Sequence, residues 1–196
     1  MTWQKKMHTN WLALMNILGI NNVIVDTFNR PNSTTPGTTD TGQQWMSIST
    51  AGTFTINNNQ LFSDATPRAS VLASPRNYKV GFRYILGGTN TISGLVMKIN
   101  DDHYDCLRLV VSGGQWRFQR RVPPDGKTTI LASFGEVNIG DYVEVLVNGD
   151  RFDVYINGEY KGGVNESYNN EIDFVGFYSG DNTNIRYDDF ILEGLP

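Results

Sequence analysis

Cationic side chains recur at alternating positions along the middle of the sequence. From Arg76 to Arg121 there are eight lysines or arginines against three aspartates, a local charge of +5 in a chain whose net charge is −4. Alternation places Arg83, Lys98 and Arg108 opposite the apolar positions of their predicted strands, so we expect these three to share one outward sheet face. Guanidinium groups on such a face can bind hydroxyl, carboxylate or phosphate oxygens of a ligand. The alternative is a solvated polar face without a ligand, which antiparallel sheets commonly have.

Aromatic side chains near these segments could add flat contact surfaces. Trp116 lies within the cationic segment, Tyr104 follows the polar turn at 100–103, and Tyr160 lies in a predicted loop. An aromatic ring offers an apolar surface with a polar edge, which suits the C–H faces of sugars. Together the candidate ligand-binding residues are Arg83, Lys98, Tyr104, Arg108, Trp116 and Tyr160.

Several other classes of site lack the residues that they need. Cys106 is the single cysteine, which excludes an intrachain disulfide and a Cys-rich zinc site, and two histidines leave little material for a His-rich metal centre. The pairs Gly87-Gly88 and Gly113-Gly114 connect strands to strands, so they lack the helix N-terminus of a phosphate loop. The negative net charge gives no nucleic-acid footprint. No apolar run reaches the roughly 18 residues of a membrane-spanning helix, so we expect no membrane insertion.

The segment 1–22 has helical periodicity and differs from the rest of the chain. Its apolar residues fall on one stripe of a helix, which Gly19 and Asn21-Asn22 would end. A signal peptide is the alternative, because Lys5 and Lys6 precede an apolar stretch, but polar residues interrupt that stretch and no small-residue cleavage site follows. The stripe must be buried, either on the rest of the chain or in a homo-oligomer. It consists of Trp3, Met7, Trp11, Leu14 and Leu18.

From Val23 onward the periodicity changes to two, which is typical of strands. Fourteen short runs rich in β-branched and aromatic residues are separated by polar clusters, and Gly113-Gly114, Asn148-Gly149-Asp150 and Asn157-Gly158 are predicted hairpin turns. The predicted strands are Val23–Phe28, Trp45–Ser49, Thr53–Ile56, Gln60–Phe62, Ala69–Leu72, Tyr78–Leu86, Ile92–Ile99, Tyr104–Val111, Gln115–Val122, Thr128–Ser133, Tyr142–Val147, Phe152–Ile156, Ile172–Tyr178 and Ile185–Leu192. This pattern predicts an all-β domain over 23–196, a two-sheet antiparallel jelly-roll sandwich preceded by the short N-terminal amphipathic helix.

The strand and turn residues of this domain also carry a family resemblance. They are Asp26–Arg30, Gly42–Trp45, Ile56–Leu61, Gly94–Lys98, Tyr104 with Leu107 and Leu109, Trp116–Phe118, Tyr142–Val145, Val154–Gly158, Gly176-Phe177 and Tyr187–Phe190. In this pattern Val23–Pro196 resembles the concanavalin A-like, or laminin G-like, jelly rolls of carbohydrate-binding modules and bacteriophage tail proteins. These motifs describe strands and turns, so they specify the fold better than the function.

The resemblance implies a non-catalytic module that binds host cell-surface saccharide, as an accessory or receptor-binding protein of a phage tail or baseplate. A lectin-like fold usually works outside the cell, and a virion protein, which lysis releases, needs neither disulfides nor a signal peptide. The partners would be a cell-surface polysaccharide and other virion proteins, and the helix would form a homo-trimer as short helices of phage receptor-binding proteins do. A structural or decoration protein that binds other virion proteins and no sugar is the alternative.

Some concanavalin A-like proteins are glycoside hydrolases, and the segment from Glu171 to Gly176 resembles their laminarinase-type signature. A retaining hydrolase needs two carboxyl groups about 5 Å apart on one sheet face. Here Glu171 and Asp173 alternate, but Gly176 stands where the second catalytic carboxylate belongs. We therefore expect no catalytic activity.

The resemblance also implies a structural Ca²⁺ ion. In jelly rolls the first and last strands often lie side by side, which would place Asp26 near Asp188 or Asp189, and modules of this family frequently hold calcium between such segments. Calcium prefers carboxylate and carbonyl oxygens, which this region offers. The alternative is that these aspartates are solvated or cap turns.

Overall fold

The computed structural model describes residues 23–48, 52–63, 68–87, 92–100, 105–180 and 184–195. The predicted N-terminal helix, with the stripe from Trp3 to Leu18, and the candidate residue Tyr104 lie outside the described residues. Within the described ranges the secondary structure is entirely β, as predicted. A search of the same ranges finds no helix long and apolar enough to cross a membrane.

Fifteen strands make up the described chain, and fourteen of them match the predicted strands within a few residues at each end. They are β1 (Val23–Asp26), β2 (Met46–Ser47), β3 (Thr55–Asn57), β4 (Gln60–Ser63), β5 (Arg68–Ala73), β6 (Tyr78–Leu86), β7 (Ser93–Met97), β8 (Cys106–Ser112), β9 (Gln115–Val122), β10 (Lys127–Glu136), β11 (Tyr142–Asn148), β12 (Arg151–Ile156), β13 (Glu159–Asn165), β14 (Phe174–Ser179) and β15 (Ile185–Gly194). The sequence analysis missed β13, because two glycines and two charged residues hide its alternation. It is an edge strand paired with β12 through the Asn157-Gly158 turn.

The strands form two antiparallel sheets that pack as a sandwich. The eight-stranded sheet has the order β13-β12-β11-β6-β15-β4-β3, with β1 also paired to β15. The seven-stranded sheet has the order β10-β9-β8-β7-β14-β5-β2. Asp26 of β1 lies opposite Phe190 of β15, which confirms that the first and last strands are neighbours.

An aromatic cluster between the sheets forms the centre of the core. Phe177 of β14 stacks on Tyr187 of β15, with ring centroids 4.5 Å apart, and meets Phe82 edge-on at 5.4 Å. Phe190 and Trp45 lie 5.5 and 5.9 Å from the same ring. All five side chains are buried, so strands of both sheets are tied together at this point.

The central strands β7, β8 and β14 of the seven-stranded sheet are buried on both faces. Val71, Val96, Cys106 and Tyr178 point away from the central core and form a second buried apolar cluster. Because a strand covered on both sides has apolar residues at successive positions, β7 and β8 do not present the alternating polar face that we expected.

Candidate functional site

The predicted cationic face is divided between the two sheets, which corrects the expectation of one shared face. Arg83 lies on β6 of the eight-stranded sheet, whereas Arg108 lies on β8 of the seven-stranded sheet and Lys98 directly follows β7. Alternation determines whether a side chain points inward or outward in its strand. It does not determine which sheet the strand joins. Arg83 and Arg108 are separated because their strands belong to different sheets.

Lys98 is buried and cannot contact a large ligand. Its side chain is 1% exposed, and its Nζ lies 3.7 Å from Oδ1 of Asp173. Burial lowers the pKa of Lys98, which the charge of Asp173 opposes, and burial likewise raises the pKa of Asp173. In this ion pair the attraction between the two charges therefore offsets part of the cost of burying them.

Trp116 belongs to the core and does not form a platform for sugars. Its ring is fully buried against Phe82 and Tyr84, at centroid distances of 6.0 and 5.5 Å. Its Nε1 donates a hydrogen bond to Oδ2 of Asp141 at 3.0 Å. Burial thus removes this ring from the accessible surface.

Arg83 and Tyr160, in contrast, share the outward face of the eight-stranded sheet. Tyr160 lies opposite Tyr155 of β12, and their ring centroids are 5.4 Å apart. Tyr142 of β11 lies diagonally beside Tyr155 in the strand register. We name Tyr142, Tyr155 and Tyr160 the tyrosine strip. Tyr160 is 50% exposed and the other two are half-buried, so the strip presents three rings to solvent.

A glycine makes room for the ring that begins the tyrosine strip. A Cβ atom on Gly81 would lie 2.7 Å from the hydroxyl of Tyr142, so the absence of a side chain on β6 lets this ring lie across the strand. The guanidinium of Arg83 stacks on the same ring, 5.4 Å from its centroid. Burial raises the pKa of Tyr142, and the charge of Glu144 adds to this effect. A tyrosine hydroxyl is protonated at neutral pH, so this one can donate a hydrogen bond.

Charged groups surround the exposed end of the tyrosine strip. The hydroxyl of Tyr160 accepts a hydrogen bond from Nη2 of Arg151 at 3.0 Å and donates one to Oδ1 of Asp153 at 3.2 Å. At the other end, Nε of Arg83 donates to Oδ2 of Asp189 at 2.8 Å. The strip thus combines aromatic surface with hydrogen-bonding groups held by ion pairs.

Two members of the tyrosine strip were not among the predicted site residues. Tyr142 and Glu144 alternate with Val143 and Val145 along β11, which was a usable sign that both point outward. Nothing local indicated that Tyr160 would face Tyr155, because that contact depends on the missed strand β13.

A cleft of about 400 Å³ lies between the end of β10 and the β12–β13 hairpin, at the edge of the sandwich. This edge cleft falls within the size range of small-ligand sites, about 300–1,000 Å³. Lys161 Nζ and Glu159 Oε2, which flank Tyr160 in sequence, form an ion pair at 2.6 Å on its wall. It is lined by Phe134, Gly135, Glu136, Asn138, Asp141, Ile156, Asn157, Glu159 and Lys161.

A buried carboxylate keeps the floor of the edge cleft in place. Oδ2 of Asp141 accepts the indole N–H of Trp116 and the backbone N–H of Asn138, the latter at 2.9 Å. Its Oδ1 accepts the side-chain amide of Asn157 at 3.0 Å. The amide lining of the cleft is therefore preorganised by hydrogen bonds.

The buried carboxylate of Asp26, one of the predicted calcium ligands, is surrounded by protein donors. Its Oδ1 accepts the backbone N–H of Phe28 and Nη1 of Arg30, both at 2.8 Å. Its Oδ2 accepts Nη2 of Arg30 and Nε1 of Trp45, both at 2.7 Å. With four donors on two oxygens, this carboxylate stabilises the fold from within.

The other two predicted calcium ligands are more accessible. Asp189 pairs with Arg83, and Oδ1 of Asp188 accepts the backbone N–H of Asp189 at 2.9 Å. Burial raises the pKa of Asp188. Among the described residues no group of three or more His, Cys, Asp or Glu side chains could hold a metal ion. The calcium ion therefore stays a prediction that depends on this pair.

The segment that resembles a hydrolase signature does not form the alternating strand that such chemistry uses. β14 begins at Phe174, so Glu171 and Asp173 lie in the preceding loop and pair with Arg76 and Lys98. At Gly176 a Cβ atom would lie 2.1 Å from the backbone oxygen of Ser70. The position of the missing carboxylate therefore has no space for any side chain.

Proteins of known structure share this fold. The GH43 protein BlXynB from Bacillus licheniformis, in a mutant form, aligns with a TM-score of 0.62 and 12% identity over 87% of this chain and 39% of its own. A Parabacteroides distasonis protein, provisionally assigned as a glycosyl hydrolase, aligns with a TM-score of 0.55 and 10% identity over 78% and 88%. The carbohydrate-binding module CBM66 from Bacillus subtilis aligns with a TM-score of 0.47 and 15% identity over 76% and 91%. The first two likenesses show the β-sandwich fold. No protein-family model and no curated protein matches the sequence.

Proposed function

We propose that the protein is a non-catalytic saccharide-binding module whose contact surface is the tyrosine strip together with the edge cleft. The observation that carries this proposal is the alignment of three solvent-facing tyrosine rings on adjacent strands, with Arg83 stacked at one end and Asp153 bonded at the other. Sugars present apolar C–H faces and hydroxyl groups, and this surface offers aromatic rings and charged hydrogen-bond partners for both.

The fold and the geometry of Gly176 support the non-catalytic form of this proposal. Two proteins with this fold, a GH43 protein and one assigned as a glycosyl hydrolase, have names from carbohydrate chemistry. In this chain, the loop carboxylates Glu171 and Asp173 are paired with cations, and no third carboxylate fits at Gly176. Binding without hydrolysis is the activity that these residues favour.

Replacing Tyr160 with alanine is expected to weaken saccharide binding by about 1–3 kcal/mol, because a half-exposed ring and its bonded hydroxyl are lost together. A glycan array would first identify a ligand for the full chain. Calorimetric titration of that ligand into the wild type and the variant then measures the change in affinity.

Two control variants separate stacking from other effects. Tyr160→Phe keeps the ring and should retain most of the affinity, whereas Arg76→Ala, at the distant ion pair with Glu171, should leave it unchanged. Equal affinity of Tyr160→Ala and the wild type would remove the tyrosine strip from the site. Failure to bind any glycan would favour the alternative, a structural or decoration protein that binds other proteins.

The proposed setting is a phage virion, in which the segment 1–22 assembles the module into a homo-trimer and attaches it to other virion proteins. Light scattering on the full chain is then expected to give a trimer mass, and a chain that starts at Asn22 is expected to be monomeric. If both are monomeric at tens of micromolar, self-assembly through the stripe is wrong. A loss of stability in the shortened chain would instead indicate that the stripe packs on its own sandwich.

A further inference from the structure

Arg108 is a buried guanidinium whose hydrogen-bond partners are all neutral. Arg108 is only 2% exposed and lies on the outward face of β8. Nε donates to Oε1 of Gln119 at 2.9 Å, Nη2 donates to Oγ1 of Thr128 at 3.4 Å, and the ring of Tyr178 lies 5.4 Å away. No described carboxylate forms an ion pair with it. A buried charge without a counter-charge is costly, so this site has an electrostatic demand for an anion.

Most cations elsewhere in the described chain lie beside a carboxylate. On the opposite side of the sandwich Lys79 pairs with Glu193 at 3.3 Å and Arg83 with Asp189 at 2.8 Å. Other cations within 4.0 Å of a carboxylate are Arg30, Arg76, Lys98, Arg120, Arg151 and Lys161. Arg186 of β15, which donates to Asn57 and Gln60, also lacks a described carboxylate, but it is only half-buried, whereas Arg108 is almost fully buried.

Two further arginines flank Arg108 on the neighbouring strand β9. Gln119 is the direct partner of Arg108 in the register, so Arg117 and Arg121 lie diagonally on either side, about 13 Å apart along the strand. Both are half-buried and reach solvent. The Nε of Arg117 is buried with no hydrogen-bond partner among the described atoms. It is a second cationic donor on this face that lacks an acceptor.

The charge at this place is concentrated, because the guanidinium groups of Arg108 and Arg121 both lie over Tyr178, at 5.4 and 5.9 Å from its ring centroid. Nη1 of Arg121 also donates to the hydroxyl of Tyr178 at 2.9 Å. None of the described residues that face outward on β8, β9 and β10 up to Ser133 is an aspartate or a glutamate. We name Arg108, Arg117 and Arg121 the arginine face.

We propose that the arginine face binds the anionic groups of an acidic polysaccharide, with Arg117 and Arg121 in contact and the charge of Arg108 beneath them. This rests on the proposed saccharide-binding function and adds a second contact surface, on the sheet opposite the tyrosine strip, with its own ligand class. Guanidinium groups pair with planar carboxylates and with phosphates, and their spacing along β9 suits a polymer with repeated charges. The net charge of −4 disfavours non-specific attraction of polyanions, so binding depends on this local cluster.

The test compares one polymer with and without its charge. Polygalacturonate carries a carboxylate on each sugar, and its methyl ester removes that charge while keeping the chain, so the acid is expected to bind at least tenfold more tightly. A glycerol-phosphate teichoic acid tests whether phosphate serves as well as carboxylate. Arg117→Gln is expected to reduce affinity for the acid about tenfold, and Arg117→Gln with Arg121→Gln further, with no effect on the ester. Arg76→Gln, which removes a cation that pairs with Glu171 outside the arginine face, should change neither.

Each alternative outcome identifies a different error. Equal binding of acid and ester would overturn the acidic ligand class while the saccharide-binding function stands. Binding of neither polymer nor of any other glycan would overturn both. Tighter binding of single-stranded DNA than of any saccharide, lost in Arg117→Gln, would assign the arginine face to nucleic acid instead.

Discussion

Replacing Phe177 with alanine is expected to lower the free energy of unfolding by about 3–5 kcal/mol. The ring is fully buried and touches aromatic side chains from both sheets, with centroid distances of 4.5 Å to Tyr187 and 5.4 Å to Phe82. Because neighbouring rings are large and rigid, they can only partly fill the cavity, so most of the lost contact is not recovered. Urea denaturation followed by tryptophan fluorescence measures the change.

The matched control for Phe177 is a large apolar residue at the surface. Ile139 is 68% exposed, so Ile139→Ala should change the free energy of unfolding by less than about 0.5 kcal/mol. If Phe177→Ala costs no more than this control, the aromatic cluster does not hold the two sheets together.

Replacing Asp26 with alanine is expected to lower the free energy of unfolding by about 3–5 kcal/mol. The change removes the buried acceptor of the Arg30 guanidinium and of the Trp45 indole N–H. The Asp26 carboxylate accepts four hydrogen bonds, two of them from Arg30 and one from Trp45, a core ring 5.2 Å from Phe190. The network also links β1 to the loop before β2, so its loss should loosen the pairing of the first and last strands. Denaturation curves measure the stability. Amide exchange of Ile24 reports on the pairing with β15, because the N–H of its neighbour Val25 points the other way and donates to Thr41.

Asp40 provides the matched control for Asp26, because it contacts the same arginine from the surface. Its Oδ1 lies 3.6 Å from Nη1 of Arg30, and the side chain is 39% exposed. Asp40→Ala should cost about 1 kcal/mol or less, as is typical of exposed ion pairs. Similar losses in the two variants would mean that the burial of Asp26 has no energetic consequence.

Short-range patterns were sufficient to predict most strands and their turns. Tyr78–Leu86 and Gln115–Val122 were predicted with their observed bounds, because strand periodicity is a property of the local sequence. Asn157 and Gly158 have φ angles of 53° and 79°, which is the conformation that hairpin turns of this composition adopt. The outward direction of Arg83 and Arg108 followed from the same alternation.

What the sequence by itself determined was the all-β architecture and the in-or-out direction of most side chains, whereas the neighbouring position of β1 and β15 was expected from the family resemblance. Only the tertiary structure decided which outward residues meet, since Arg83 and Arg108 belong to different sheets and Tyr160 faces Tyr155 only because β13 pairs with β12. It also decided burial, because the central strands of the seven-stranded sheet are covered on both faces and Arg108 of β8 is only 2% exposed. The physical reason is that periodicity acts along one strand, whereas pairing between distant strands and the layers packed over them depend on contacts that no local pattern contains.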